Sequence, residues 1–204
     1  MSKASSNRKT RRQRSTSRRS RPFLSLDRII IGGSILGSVA IVGVIALNSW
    51  INRPVDIEGV ERIPSISGVH QESVVYQQIP PAGGPHAPIW QNCGVYLEPV
   101  RNEAAVHSLE HGAIWITYRP DLPDREVERL REITWQSDAR LISPYPDLPN
   151  PIVVTAWGYQ LRLDRADDER LAPFVRQHEH AASAPEPSGF CSGGEGQPFT
   201  SPSG

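Results

Sequence analysis

The sequence predicts one small α+β domain, with a mixed or antiparallel sheet and short helices, preceded by a single transmembrane helix. Three observations carry that prediction. Strand-like apolar runs such as Ala113–Tyr118 (AIWITY) are interspersed with helical patterns, without the regular βαβ alternation of a parallel α/β fold. Between Ser73 and Cys191 lie roughly 120 residues, enough for one modest core. Ahead of them runs Ile29–Ile51, twenty-three residues without a formal charge.

The formal net charge of zero conceals two opposed regions. Residues 1–28 carry ten Lys/Arg against one acidic residue, a net of +9, whereas residues 51–204 carry twelve Arg and twenty-one Asp/Glu, a net of −9. The basic arm 1–28 is rich in Ser and has too few apolar residues to bury a core, so it is expected to be disordered. The uncharged run 29–51 would reach about 35 Å as a helix, enough to cross a hydrocarbon core of roughly 30 Å with some tilt. Trp50 sits where an interfacial aromatic would, and Asn52-Arg53-Pro54 ends the helix. The charge asymmetry keeps the arm in the cytoplasm, against anionic membrane lipid rather than nucleic acid, and puts the acidic domain outside. The rival reading is a cleaved signal peptide with Val44-Ile45-Ala46 as a weak cleavage site, but the run exceeds an ordinary signal core.

Residues 52–72 read as a linker, and the folded part is placed at 73–191. Ser73–Gln77 reads as a short strand, Ile79–Pro88 as an irregular Pro/Gly loop and Gly94–Leu97 as another strand. Asn102 is a candidate N-cap for a helix over Glu103–His111, with Gly112 just past its end. Ala113–Tyr118 is a strand. A helix opens at Asp121 or Asp124 and runs to about Gln136, with Val127, Leu130 and Ile133 on one side. Arg140–Ser143 and Ile152–Trp157 are strands, the latter pairing with Tyr159–Leu163 in a hairpin. Asp167–His180 is the last helix, interrupted at Pro173. Ser192–Gly204, Gly/Ser/Pro-rich, reads as a disordered tail.

The segment His107-Ser108-Leu109-Glu110-His111-Gly112 carries the chemistry. On a helix, residues 107 and 111 lie about 40° apart and Glu110 about 60° to the other side of His107, while Ala105, Val106 and Leu109 point away toward a core. His86, in the Gly83-Gly84-Pro85-His86 loop, joins them if that loop folds back. His86, His107, His111 and Glu110 are therefore the candidate metal ligands, and no residue is assigned a catalytic role. Three imidazoles with a carboxylate or water suit zinc or copper better than hard cations. His70, in the linker, and His178 and His180 are read as solvated. The structural alternative is that these histidines only pack against Trp90 and favour the helix dipole.

The motifs Pro80-Pro81-Ala82-Gly83-Gly84-Pro85-His86, Trp90-Gln91-Asn92-Cys93-Gly94-Val95-Tyr96 and Val106-His107-Ser108-Leu109-Glu110-His111-Gly112-Ala113 resemble a bacterial domain-of-unknown-function family, number three-one-zero-five. Ile116-Thr117-Tyr118-Arg119-Pro120, Ser143-Pro144-Tyr145-Pro146, Ala156-Trp157-Gly158 and Pro185-Glu186 continue the resemblance, which covers about residues 75–191. It implies a single-pass membrane protein with an outer domain, and it brings no activity with it.

Two cysteines at opposite ends of a fold in an oxidising compartment read first as a Cys93–Cys191 disulfide, ahead of Cys93 as a metal ligand. With Met1 the only methionine, soft copper(I) ligation is disfavoured. The favoured function is a membrane-tethered outer domain that binds a transition metal. The alternatives are a non-catalytic interaction or structural module of the cell envelope with an unknown protein partner, and a zinc hydrolase of the His-x-x-Glu-His type with Glu179 or Glu186 as a distant ligand.

Overall fold

The computed structural model describes residues 26–51, 53–64 and 68–199, with side chains from Gly37 onward except Ile51. The chain divides into two compact units, Met1–Arg53 and Pro54–Gly204. In the first, α1 spans Leu26–Ile51 and covers the uncharged run. Its described apolar side chains, Val39, Ile41, Val42, Val44, Ile45, Leu47 and Trp50, are exposed. Among the described residues no helix is long and apolar enough to cross a membrane. The side chains of 29–36, the first part of the span expected from the sequence, lie outside them, as do the arm 1–25 and residues 200–204.

In the second unit, β1 (Val60–Arg62), β2 (Gly94–Val95), β3 (Ile114–Tyr118), β4 (Arg140–Pro144), β5 (Ile152–Ala156) and β6 (Tyr159–Leu163) form a six-stranded mixed sheet in the order β1-β6-β5-β3-β4-β2. β2 and β3 run parallel to β4, and the β3–β5, β5–β6 and β1–β6 pairs are antiparallel. The domain is thus α+β, as the sequence predicts. One βαβ crossover lies inside it, because the parallel β3–β4 pair needs a long connection and α3 (Asp124–Thr134) supplies it.

The pleat divides the core. Ile114, Ile116 and Ile142 face one way, onto Val127 and Leu130 of α3 and Leu171, Phe174 and Val175 of α4 (Leu171–His178). Trp115 and Leu141 face the other, onto Ala105, Val106 and Leu109 of α2 (Asn102–Glu110). With helices on both faces, every residue of β3 and β5 is buried.

α2 begins at Asn102 with Arg101 in the cap position and no side-chain cap; Asn102 instead donates to Tyr145 Oη at 3.1 Å. It ends where expected, with Gly112 at φ 86°. A Cβ there would lie 3.0 Å from the His180 backbone, so glycine serves both the left-handed turn and the close approach. α4 is shorter than the pattern suggested, and Pro173 falls in its first turn, where a missing N–H costs nothing.

Three expectations need correction. Ser73–Gln77 forms no strand; its chain is irregular and mostly exposed, with the Val74 N–H taken by the Glu103 carboxylate at 3.1 Å in place of a strand partner. The linker 52–72 is not a linker throughout. β1 pairs along the edge of β6, with Arg162 and Glu61 3.1 Å apart across the strands, and Ile57 enters the core. The tail is ordered as far as Phe199. β2 is two residues long, and the returning chain pairs with its outer edge: Phe199 N–H donates to Val95 O at 2.7 Å, while Glu195 N–H is held just before the strand by Trp90 O at 2.8 Å. Cys93 and Cys191 stand at disulfide distance, with Cα atoms 5.3 Å apart and a sequence separation of 98. Closing such a loop stabilises the fold by about 4–5 kcal/mol in loop-closure entropy.

His178 is buried against the rings of Phe174 and Tyr159, with Nε2 unpartnered. Burial pushes its imidazole below the ordinary histidine range. The unfolded chain takes up this proton near pH 6.5 and the fold only lower, so stability falls as pH drops below about 6.5. Replacing His178 by Phe removes that uptake. Its melting temperature should rise relative to wild type between about pH 7 and pH 5. A difference that stays constant over that interval would refute the assignment.

Candidate metal centre

Every residue of α2 from Ala104 to Glu110 is buried, so its polar side chains meet other protein rather than water. They meet a layer of loops. Ala87 N–H donates to Glu103 O at 3.2 Å, Gln91 N–H to Ala104 O at 3.0 Å, and Ser108 Oγ to Gln91 O at 2.6 Å. These bonds lace the stretch 84–91 along the helix and bring His86 over His107 and Glu110. A second crossing brings His70, whose backbone bridges His86: Gln71 N–H donates to His86 O at 2.6 Å and His86 N–H to Val69 O at 3.0 Å.

One ligand atom each from His70, His86, His107 and Glu110 lies within 4.8 Å of the others. The hydrogen bonds fix the tautomers of two of the imidazoles. His86 Nδ1–H donates to the Gly84 carbonyl at 2.8 Å and His107 Nδ1–H to the Ala87 carbonyl at 2.7 Å. A carbonyl only accepts, so in the neutral rings each Nε2 carries a bare lone pair. His86 is fully buried, and its Nε2 stands 3.0 Å from Glu110 Oε2 without an aligned hydrogen bond. Two acceptors at that distance repel each other unless a proton or a metal cation stands between them.

His107 is neutral near pH 7. Burial is the main cause, pushing its imidazole down to about 4; the Ala87 bond opposes this, and the neighbouring His111, His86 and His70 add to it. Its ring is stacked on His70 at 5.2 Å and lies 4.8 Å from His86.

His111, named from the helical spacing, is a neighbour of this cluster and not one of its four. Its ring is 4.7 Å from His107 and 5.0 Å from Trp90, its Nδ1–H donates to Phe190 O at 2.7 Å, and its Nε2 is 3.6 Å from Glu186 Oε2. His70, read as a solvated linker residue, is exposed but joins the cluster. No periodicity could reveal it, because its place depends on a bridge between two irregular segments. His178 is a core residue and His180 is exposed at φ 51°. Glu179 is committed elsewhere: Arg140 donates to its two oxygens at 2.7 and 2.8 Å. Burial raises the Glu179 carboxyl, but the bonds from Arg140 and Ser137 outweigh it and hold the group below its ordinary range.

The family described as a protein of unknown function, DUF3105, matches residues 69–193, more than half of the chain. The chain belongs to that family. The matched span contains all four clustered residues and both cysteines of this DUF3105 domain. No curated protein and no solved structure matches the chain.

Gly68 lies directly on the carboxylate of Glu110. A Cβ there would collide with Oε1 and come within 3.1 Å of Cδ and 3.4 Å of His86 Cε1. Gly68→Ala should therefore cost about 1–3 kcal/mol of stability, read from thermal melts. The cost should shrink in a Glu110→Ala background, where the colliding group is gone. Equal costs in both backgrounds would mean that the two residues do not meet.

Proposed function

We propose that this domain binds a transition metal through His86, His107, Glu110 and His70, with zinc the first choice and copper(II) the second. The observation that carries the reading is the bare Nε2 of buried His86, facing the Glu110 carboxylate, while Nδ1 is tied to a backbone carbonyl. Metal-bound histidines have this arrangement, in which the outer nitrogen donates to the protein and fixes the inner lone pair. Three imidazoles and one carboxylate make a set of four nitrogen and oxygen donors. That suits zinc, at about 2.0–2.2 Å per bond, better than calcium or magnesium. Thiolate and thioether are missing from the set: both cysteines are paired, and Met1 is the only methionine.

Four protein ligands describe a binding or metal-handling site. The hydrolase reading has less support because Glu110 belongs to the proposed ligand set and Glu179 is held by Arg140, leaving only exposed Glu186 beside His111. The interaction-module alternative rests on the apolar surface near Val75 and Tyr76, with no feature that selects a partner. Binding should weaken as pH falls through the histidine range, because protons compete for the same lone pairs. The purified chain should take up near-stoichiometric zinc at neutral pH. His86→Ala and His107→Ala should lose it with circular dichroism unchanged. A wild type that stays metal-free after reconstitution with either ion would overturn the proposal.

The domain works outside the membrane, tethered by the 29–51 segment. Support comes from the exposed apolar side chains of α1, the +9 arm before them and the uncharged run itself. Protease added to spheroplasts should remove a C-terminal tag and spare an N-terminal one. A protected C-terminal tag would sink this topology.

A further inference from the structure

The four clustered residues are not held alike, and their inequality bears on how a metal would enter and leave. His86 and His107 are buried, each with Nδ1 anchored on a carbonyl. Glu110 is buried on α2 beneath Gly68. His70 is exposed, sits on an irregular segment held to His86 by two backbone bonds, and has no ring hydrogen bond among the described residues. Its ring meets the cluster through one stacked contact, on His107 at 5.2 Å and 23°, and one edge-on contact, on His86 at 5.2 Å and 74°.

We infer that His70 is the exchangeable ligand of the site, and that it yields its coordination position to an incoming imidazole-type nitrogen donor during metal transfer. The inference rests on the metal-binding reading above and adds a division of labour to it. A ligand whose second nitrogen is tied to the protein stays oriented when its metal bond breaks, so it rebinds before solvent intervenes. An untied side chain on the solvent side swings away and must lose rotamer freedom again to return. The position it leaves opens outward, while the other three donors stay under cover.

The shape of that position selects the class of donor. His70 fills a slot between one ring face and one ring edge, which suits another flat aromatic nitrogen donor better than a bulky or tetrahedral anion. The exchange itself is a substitution without redox change. The lone pair of the incoming nitrogen forms a bond to the metal, and the bond from the metal to the His70 nitrogen breaks. The electron pair returns to the imidazole, which stays neutral or takes a proton from water. A histidine of a metal-receiving or metal-giving protein is one source of such a donor, and free imidazole is its simplest probe.

The test uses the full chain loaded with zinc or with cobalt(II), whose visible bands report coordination. His70→Ala should still load the metal, with affinity lowered by at least the roughly 10–100-fold that loss of an orienting partner costs. Its cobalt spectrum should differ from that of the wild type, and added imidazole should restore it. In the wild type, zinc release to an excess of chelator should accelerate with imidazole concentration. His70→Ala should release zinc faster than the wild type before any imidazole is added. The inference is overturned if His70→Ala loses metal as completely as His107→Ala, if its cobalt spectrum matches the wild type, or if imidazole changes neither spectrum nor release. Those outcomes leave the metal site standing. Failure of the wild type to load any metal removes the site and this inference together.

Discussion

Helix α2 carries His107, Ser108 and Glu110 into a place where water cannot satisfy them, and much of the domain is arranged around that constraint. One side of the helix is committed to the sheet through Ala105, Val106 and Leu109. A buried polar group without a partner costs about 1–3 kcal/mol, so the other side requires a second layer of protein. That layer is irregular because its purpose is to deliver carbonyls and imidazoles at particular points. Regular strands would use the same backbone groups on one another. The Pro/Gly-rich composition of 79–88 follows, since such a chain can turn its carbonyls inward without forming a ladder.

The C-terminal chain closes the same layer from the opposite end. It passes Glu110, whose carbonyl accepts from Glu186 N–H at 3.0 Å, supplies Phe190 O to His111, and reaches the Cys93–Cys191 pair. It then covers the edge of β2 as far as Phe199. The disulfide therefore does more than shrink the unfolded ensemble. It holds the segment that orients His111 against the helix carrying His107 and Glu110, tying stability and site geometry to one cross-link.

Electrostatically the centre is poised by what it lacks. Desolvation keeps His107 neutral, and the carbonyl partners of His86 and His107 leave no proton on the inner nitrogens of the neutral rings. The carboxylate oxygens of Glu110 face these lone pairs. On the metal-binding proposal, a divalent cation would relieve the repulsion among all these groups, whereas a proton on His86 would relieve only one contact.

The sequence by itself determined the α+β class, the positions of α2, α3 and β3 to β6 to within a few residues, the cysteine pairing and the shared face of His107 and Glu110. These are consequences of local periodicity, turn chemistry and an even cysteine count, all readable along the chain. Only the tertiary structure decided that β3 and β4 run parallel, that β1 and the 192–199 segment belong to the domain, and that His70 joins the histidine cluster while His111 stands beside it. Strand direction leaves no mark in a hydrophobic pattern of period two. An edge strand such as Val60–Arg62, half exposed and charged, reads like a linker until its partner is known. His70 and His86 meet through a backbone bridge between two irregular segments, and no periodicity encodes such a meeting.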